Sequence, residues 1–242
     1  MAVTSVEHLR RAFVRWHDRR VPSHPSRLTG PSRLPSVRDV TARVAVLASG
    51  AGTNLQALLD DPIVGRWVVL AISDRGDAKA LERARSRSVE AMHIDPASSE
   101  DRAAFDHALV EIMRERAIDL VVLAGYMRIA GPELVGAFRD RILNVHPALL
   151  PAFPGTRAVA EALAWGVKLT GVTVHLVDEE VDHGPVVFQE SVEVRPDDDW
   201  DALEERIHEV EHRLLPAAVR ALGEGRVVVE GRTVRVLQEA PR

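Results

Sequence analysis

The chain has 242 residues and a formal net charge of −5, with 46% hydrophobic but only 4% aromatic residues. It contains no cysteine, which excludes disulfides, thiolate nucleophiles and cysteine-based zinc sites. The mild acidity argues against nucleic-acid binding, and no apolar run approaches the roughly 18 residues that a membrane span needs. We therefore expect a cytoplasmic protein of one or two domains, a monomer or homodimer, with small-molecule substrates and no nucleic-acid or membrane partner.

Residues 1–42 differ in composition from the rest of the chain. They hold eight Arg, three acidic residues and four Pro, and their net charge of +5 leaves −10 on the remaining 200 residues. The apolar spacing of Leu9, Phe13 and Trp16 predicts an amphipathic helix, and the following segment, up to residue 40, has the composition of a linker. We expect a basic, Pro-rich and Arg-rich N-terminal extension that is disordered or partly helical, with a partner-binding arm as the alternative.

From residue 43 onward, short apolar runs alternate with helical patterns. The predicted strands cover 43–49, 67–73, 91–94, 119–124 and 142–146, and the predicted helices cover 54–60, 78–88, 102–116 and 132–138. Ser98 and Asp101 are spaced as a capping box before the third of these helices. Buried strands that alternate with helices indicate an α/β fold with a mostly parallel central sheet and helices on both faces.

The second half of the chain has a mixed character. It is predicted to contain helices at 157–165 and 200–222, strands at 171–177 and 186–194, and a terminal hairpin over 226–230 and 233–237. These later strands need not run parallel to the earlier ones, and the last helix can kink at Pro216. We therefore expect one domain over residues 43–242 with a mixed C-terminal part.

A loop of small residues, Ser49–Asn54, joins the first predicted strand to the first helix. Its backbone N–H groups and the helix N-terminus suit an anion such as phosphate. Leu55 stands where the dinucleotide-binding pattern G-x-G-x-x-G has its third Gly, and the nucleoside-triphosphate pattern does not match. A single sugar phosphate fits this loop better, and a tight turn without a ligand is the alternative.

Asn144 and His146 end a predicted strand, which Pro147 stops. Residues two apart on a strand face the same side, so both polar side chains point into one site. An amide can donate a hydrogen bond to a developing oxyanion, and an imidazole can do the same or move a proton. The chain has only two Asn residues, Asn54 and Asn144, and both fall in candidate sites. Acyl chemistry is the functional interpretation, and a structural His is the alternative.

An acidic segment, Asp178–Pro185, lies between two predicted strands. Such a run is typical of a solvated turn, and its closing Gly-Pro pair supports that interpretation. In the functional interpretation, Asp182 turns inward, orients His146 and acts as a base. Sequence spacing leaves both interpretations open.

Three other functions fit parts of the sequence. His208–His212 matches H-x-x-E-H, with two His on one helix face, but such zinc enzymes take a further ligand from a longer downstream segment. A Rossmann-type oxidoreductase is disfavoured by the incomplete glycine pattern. A non-catalytic binding module explains the phosphate loop but leaves Asn144, His146 and Asp182 without roles.

Taken together, four sequence blocks resemble those of the folate-dependent glycinamide ribonucleotide formyltransferases, over about residues 43–240. The most specific block is Asn144–Pro151 (N-V-H-P-A-L-L-P), continued by Phe153–Thr156. The others are Ser49–Gln56, Ala124–Ile129, and Gly171–His175 with Asp182–Val186. The resemblance implies a Rossmann-like formyltransferase fold. It also implies transfer of a formyl group from the co-substrate 10-formyltetrahydrofolate to the amine of glycinamide ribonucleotide (GAR) in purine biosynthesis.

The same resemblance implies roles for individual residues. The catalytic residues would be Asn144, His146 and Asp182, with no metal. The phosphate and the rest of the ribonucleotide would be bound by Gly52, Thr53, Asn54 and Glu211. The folate would be bound by Arg102, Met127, Arg128, Ile129, Ala130, Asn144, Asp178, Glu179, Glu180 and Val181.

The implied mechanism is attack of the GAR amine on the formyl carbon. Asn144 and a protonated His146 would stabilise the oxyanion, and Asp182 would hold His146 and accept the proton of the amine. The sequence departs from the family pattern at Ala130, where Leu is common, and at His183, where a small residue is common. We expect neither a formyltetrahydrofolate hydrolase nor a transfer-RNA formyltransferase, because the sequence has no room for their additional domains.

Overall fold

The computed structural model describes residues 32–33 and 42–239. The strands are β1 Ser32–Arg33, β2 Val44–Leu47, β3 Val68–Ser73, β4 Glu90–His93, β5 Leu120–Leu123, β6 Ile142–His146, β7 Leu169–Leu176, β8 Val186–Glu193, β9 Val227–Glu230 and β10 Thr233–Val236. The helices are α1 Thr53–Asp60, α2 Lys79–Ser86, α3 Arg102–Glu115, α4 Pro132–Ala137, α5 Ala158–Trp165 and α6 Trp200–Gly223. The helix predicted within the N-terminal extension lies outside the described residues.

Seven strands form the central sheet in the order β4-β3-β2-β5-β6-β7-β8. The strands from β4 to β6 are parallel, whereas β7 pairs antiparallel with β6 and β8 pairs antiparallel with β7. The mostly parallel α/β sheet predicted from the sequence is therefore confirmed. Of the two strands whose direction the sequence left open, β7 runs opposite to the parallel strands and β8 runs in their direction.

The strand order creates a crevice at one edge of the sheet. The chain moves outward from β2 to β4 and then returns to β5 on the other side of β2. In open α/β sheets, ligands bind at such a switch point, outside the carboxyl ends of the strands. The loops that follow β2 and β5 border this crevice, and the N–H of Ser49 joins them by donating to the carbonyl of Gly125 at 3.1 Å.

Both faces of the central sheet are buried. On β2, Val44 and Val46 pack into one apolar core, Ala45 and Leu47 pack into the other, and none of the four is exposed. Helices α1, α2, α5 and α6 cover the first face, and α3 and α4 cover the second. Strands buried on two faces appear in a sequence as unbroken apolar runs, which is why these strands could be predicted.

The helix ends follow local capping chemistry. Helix α3 is capped by Asp101, whose carboxylate accepts a hydrogen bond from the N–H of Ala104 at 2.8 Å. The predicted capping box is therefore wrong, because Ser98 lies in a preceding 3-10 turn and donates to a backbone carbonyl there. Helix α6 continues through Pro216 as one element. Among the described helices, none combines the length and apolarity that crossing a membrane requires.

A second, antiparallel sheet has the strand order β1-β9-β10. The predicted terminal hairpin is confirmed and forms β9 and β10. Ser32–Arg33, within the segment predicted as a linker, form β1 and pair with Val228 and Val229 of β9. The hairpin turn therefore joins two paired strands, β9 and β10, and β9 is also paired with β1 on its other edge.

Candidate functional site

One cavity of about 500 Å³ opens at the switch point of the central sheet. It is lined by the loops after β2 and β5, the end of β6, the loop between β7 and β8 (the β7–β8 loop, residues 177–185), and one side of α6. Every predicted site residue except Arg102 lines this cavity. The topology thus brings together side chains that are far apart in the sequence.

Asn144, His146 and Asp182 meet at the end of β6. Nδ2 of Asn144 lies 3.3 Å from Oδ1 of Asp182, and Nδ1 of His146 lies 3.4 Å from Oδ2 of Asp182. The backbone N–H of Gly155 also donates to Oδ2, at 2.7 Å. The Asp182 side chain is only 10% exposed, so it turns inward from a loop whose residues 179–181 and 183 are exposed.

The imidazole of His146 is held by the protein through Nε2. Nε2 donates to the carbonyl of Phe153 at 2.8 Å, because a carbonyl can only accept. Nδ1 then faces the carboxylate of Asp182. A second proton on Nδ1 would lie between the ring and this carboxylate, so the arrangement is suited to receiving a proton.

The protonation states follow from burial and from neighbouring charges. Burial lowers the pKa of His146 below its ordinary value, and the negative charge of Asp182 opposes this shift. Burial by itself raises the pKa of Asp182, but the His175 imidazole, the Gly155 N–H and His146 outweigh burial and lower that pKa below its ordinary value. The two lowered pKa values favour a neutral imidazole beside an ionised carboxylate, and the protonated imidazole expected from the sequence stays a prediction.

His175, for which the sequence predicted no individual role, lies next to Asn144. The two residues are register partners on β7 and β6, and Nε2 of His175 lies 3.1 Å from Nδ2 of Asn144. Nδ1 of the same ring donates to the carbonyl of Leu176, so Nε2 accepts from the Asn144 amide. Both amide protons of Asn144 are therefore engaged, one by His175 and one by Asp182. The only sequence signal was the Gly171–His175 block.

The residues predicted to bind the ribonucleotide lie where α1 faces α6. Nδ2 of Asn54 donates to Oε2 of Glu211 at 2.8 Å, and both side chains are buried. Oδ1 of Asn54 has no hydrogen-bond partner within the described part of the chain. Burial raises the pKa of Glu211, and the Asn54 amide opposes that shift. A buried acceptor and a buried carboxyl group in one cavity suit a ligand that carries N–H or O–H donors.

The loop after β2, predicted to bind phosphate, ends at Gly52, which precedes α1 with a left-handed backbone (φ 71°). A Cβ at this position would lie 2.7 Å from the Cα of Ala80 at the start of α2. Both the backbone conformation and the close approach of α2 therefore require glycine.

We expect Gly52→Ala to lower the free energy of unfolding by about 1–3 kcal/mol, because the new side chain strains the backbone and collides with α2. Gly50→Ala is the matched control, since a Cβ at Gly50 meets nothing within 4 Å. Denaturant unfolding followed by circular dichroism measures both variants. Wild-type stability in the Gly52 variant would contradict the prediction.

The residues predicted to bind folate include the loop after β5. Its residues Met127 and Ile129 are 62% and 54% exposed, although both are large and apolar, and both line the cavity. The N–H of Met127 donates to Oγ of Ser49 at 2.9 Å, which ties this loop to the loop after β2. Arg102 does not line the cavity, and its guanidinium group lies close to Gly131. A folate contact from Arg102 therefore stays a prediction.

The H-x-x-E-H segment does not direct its side chains to one point. The rings of His208 and His212 stack with their centroids 5.8 Å apart, whereas Glu211 bonds to Asn54. Nε2 of His208 lies 3.9 Å from Oε2 of Glu211, and His208 lines the cavity. His208 therefore lines the cavity, although the sequence motif had suggested it only as a zinc ligand.

Comparisons with known proteins agree with this fold. A family model described as formyl transferase matches residues 42–219. The phosphoribosylglycinamide formyltransferase of Mycobacterium tuberculosis is 47% identical over 205 residues, 84% of this chain and 94% of the relative. That of Bacillus subtilis is 40% identical over 183 residues, 74% of this chain and 94% of the relative.

Solved structures extend the similarity to three dimensions. The crystal structure of glycinamide ribonucleotide transformylase 1 from Symbiobacterium toebii has a TM-score of 0.79 and 51% sequence identity, and the match covers 81% of this chain and 94% of that one. The phosphoribosylglycinamide formyltransferase of Streptococcus pneumoniae has a TM-score of 0.71 and 44% identity, and the match covers 75% of this chain and 98% of that one. The Rossmann-like formyltransferase fold implied by the sequence motifs is confirmed.

Proposed function

Because the chain belongs to the phosphoribosylglycinamide formyltransferase family, we propose that Asn144, His146 and Asp182 catalyse its reaction. The enzyme transfers the formyl group of 10-formyltetrahydrofolate to the amine of GAR, giving the N-formyl product and tetrahydrofolate in purine biosynthesis. One observation carries the residue assignment. An amide and an imidazole each lie within 3.4 Å of one carboxylate, in a cavity lined by residues predicted for both substrates.

In the proposed reaction, the lone pair of the GAR amine forms a bond to the formyl carbon, and the carbonyl π electrons move to oxygen. The amine then loses a proton to Asp182, directly or through water. The carbonyl re-forms as the bond from carbon to the folate nitrogen breaks, and that nitrogen takes up a proton as it leaves. Holding both substrates in one cavity contributes up to about 7–11 kcal/mol to the lowering of the barrier.

Asn144 and His146 are the proposed donors to the oxyanion. Their N–H groups already have protein partners: His175 and Asp182 for the Asn144 amide, and the Phe153 carbonyl for the His146 ring. Substrate binding must therefore exchange one contact of each group for the formyl oxygen. The 3.3 Å contact between Asn144 and Asp182 is the longest of the three, so we propose that the formyl oxygen replaces it.

We propose that His146 and Asp182 together receive the proton released by the amine. The lowered pKa of Asp182 keeps this carboxylate ionised at neutral pH, so it attracts the proton. Nδ1 of His146, 3.4 Å from the carboxylate, is unprotonated and can carry the proton onward. Once Nδ1 holds this proton, the imidazole ring is positively charged, and that charge would favour the oxyanion.

For substrate binding, we propose that the backbone N–H groups of Gly52, Thr53 and Asn54 bind the GAR phosphate at the start of α1. Glu211 and the unpartnered Oδ1 of Asn54 would accept hydrogen bonds from the rest of the ribonucleotide. The folate would lie against 127–130 and 178–181, where exposed apolar side chains suit a planar ring.

Glu211→Gln is expected to raise the KM for GAR by about 10- to 100-fold, because a hydrogen bond to a charged acceptor is lost. The raised pKa of Glu211 means that the folded state binds a proton more tightly than the unfolded state. Ionised Glu211 therefore weakens the fold increasingly as the pH rises through its folded-state pKa. The Tm of the variant at neutral pH should thus equal or exceed that of the wild type.

Steady-state kinetics and thermal unfolding measure the two effects of Glu211→Gln separately. Glu209→Gln, which changes an exposed carboxylate on the same helix, serves as the matched control. A lower Tm together with an unchanged KM for GAR would show that Glu211 serves the fold and not the substrate.

The proposed acceptor is tested by following folate deformylation by absorbance with and without GAR. We expect turnover only when GAR is present, with one formyl group transferred per folate consumed. Equal turnover without GAR would identify a hydrolase and defeat the proposal that this amine is the acceptor.

We further propose that residues 43–242 form the catalytic domain and 1–42 an N-terminal extension, of which Ser32–Arg33 pair with β9 of that domain. The start of the family match, at residue 42, supports this boundary. The enzyme would act in the cytoplasm as a monomer or homodimer and use no metal, because the amide, imidazole and carboxylate supply the polarisation and proton transfer. Metal analysis of the active protein and light scattering test these two points.

A further inference from the structure

We propose that Arg232, in the turn of the C-terminal hairpin, is a positioning residue for the β7–β8 loop that carries Asp182. The inference rests on the proposed role of Asp182 in formyl transfer. The hairpin follows α6 and is remote in sequence from this loop, yet one guanidinium connects them. Nη2 of Arg232 donates to the backbone carbonyl of His183 at 2.6 Å.

The β7–β8 loop needs support from outside because Asp182 has a left-handed backbone (φ 52°), which is uncommon for a residue with a Cβ. Such conformations persist only where the surrounding structure holds them. The end of the loop packs closely against β7, since a Cβ on Gly184 would collide with the backbone oxygen of Leu176. The side chains of residues 179–181, however, are exposed and add little packing.

Arg232 makes its contact one residue after this strained position. Besides the hydrogen bond to the His183 carbonyl, Nη1 lies 3.1 Å from Nε2 and 3.3 Å from Nδ1 of the His183 ring. A nitrogen at nearly equal distances from both ring nitrogens lies over the face of the imidazole, as in cation–π contacts. Nδ1 of His183 is also 2.9 Å from Oδ2 of Asp178, at the other end of the loop. One guanidinium thus holds the backbone and the ring of His183, and His183 joins the two ends of the loop.

The hairpin provides a fixed base for this contact. Glu230 and Thr233 pair across the turn, and β9 is paired on its other edge by β1. Arg232 therefore extends from a turn whose backbone is fixed on both sides. The position of Asp182 depends on a part of the fold that contributes no residue to the cavity wall around it.

Arg232→Ala is expected to lower kcat by about tenfold or more, because small displacements of a catalytic group have large effects on rate. The KM for GAR should not change, since α1 and α6 are untouched. Amide hydrogen exchange within residues 178–184 should become faster in this variant. Arg232→Lys keeps a donor for the His183 carbonyl and should restore part of kcat.

Arg235→Ala is the matched control, because Arg235 is an exposed arginine of the same hairpin whose ion pair, with Glu230, stays within the hairpin. It should leave kcat within about twofold of the wild type and loop exchange unchanged. Wild-type kcat in Arg232→Ala, or equal losses in both alanine variants, would overturn the inference. Wild-type enzyme that does not formylate GAR would instead count against the proposed function, whatever the variants show.

Discussion

Asp182→Asn is expected to lower kcat by about 10²–10⁴-fold while the KM values for GAR and folate change little, because the variant cannot accept the proton of the amine. The neutral amide is nearly isosteric, so binding should survive. The hydrogen bond from the Gly155 N–H can be kept by the amide oxygen, which preserves the loop. Steady-state kinetics at saturating concentrations of both substrates measure the effect.

The pKa of Asp182 allows an independent check of this variant. Because the pKa is lowered in the folded state, the carboxylate stabilises the fold above its unfolded-state pKa and loses this contribution as the pH falls through its folded-state pKa. Asp182→Asn should therefore have a lower Tm than the wild type at neutral pH, and the difference should vanish in acid. Asp77→Asn, which alters an exposed ion pair with Arg75, is the control. A kcat near that of the wild type would remove Asp182 from the catalytic role.

His146→Ala is expected to lower kcat by about 10²–10³-fold, because both a donor to the oxyanion and a proton carrier are lost. The variant also leaves a space beside Asp182, so added imidazole should restore part of the rate. The two losses should be less than additive in the double variant with Asp182→Asn, because the two groups handle one proton.

His107→Ala provides the comparison for this variant. His107 also pairs with a carboxylate, that of Glu133 at 2.6 Å, but the pair is exposed and lies outside the cavity. Its replacement should leave kcat unchanged. If His146→Ala kept normal kcat and lost only stability, the ring would be a structural residue, which is the alternative that the sequence left open.

The parallel part of the sheet was predictable because burial on both faces leaves an unbroken apolar signal. The strand Ile142–His146 matches its predicted limits, since Pro147 ends it. The reversed direction of β7, between β6 and β8, was not predictable, because a strand's own residues do not specify its partner. The N-cap of α3 was misplaced because Ser98 and Asp101 are both good capping residues, and only hydrogen-bond geometry distinguishes them.

Site residues were predictable where the periodicity of one strand determines the side-chain orientation. They were not predictable where contacts between distant segments determine it. The two-residue spacing of Asn144 and His146 placed both on one side of β6. The inward turn of Asp182 depends on a left-handed backbone that no spacing encodes. The contact from His175 depends on antiparallel register. Phe153 acts through its carbonyl, a group that any residue could supply.

The hydroxyl of Ser49 has a consequence for how binding of one substrate affects binding of the other. It accepts the Met127 N–H, while the backbone of the same residue is bonded to Gly125, so the two loops proposed for the two substrates share one anchor. Any shift of that anchor on binding one substrate alters the free energy of binding the other. Thermodynamic reciprocity requires the effect to be equal in both directions. Dissociation constants for each substrate, measured with and without an unreactive analogue of the other, would give this coupling as a single number.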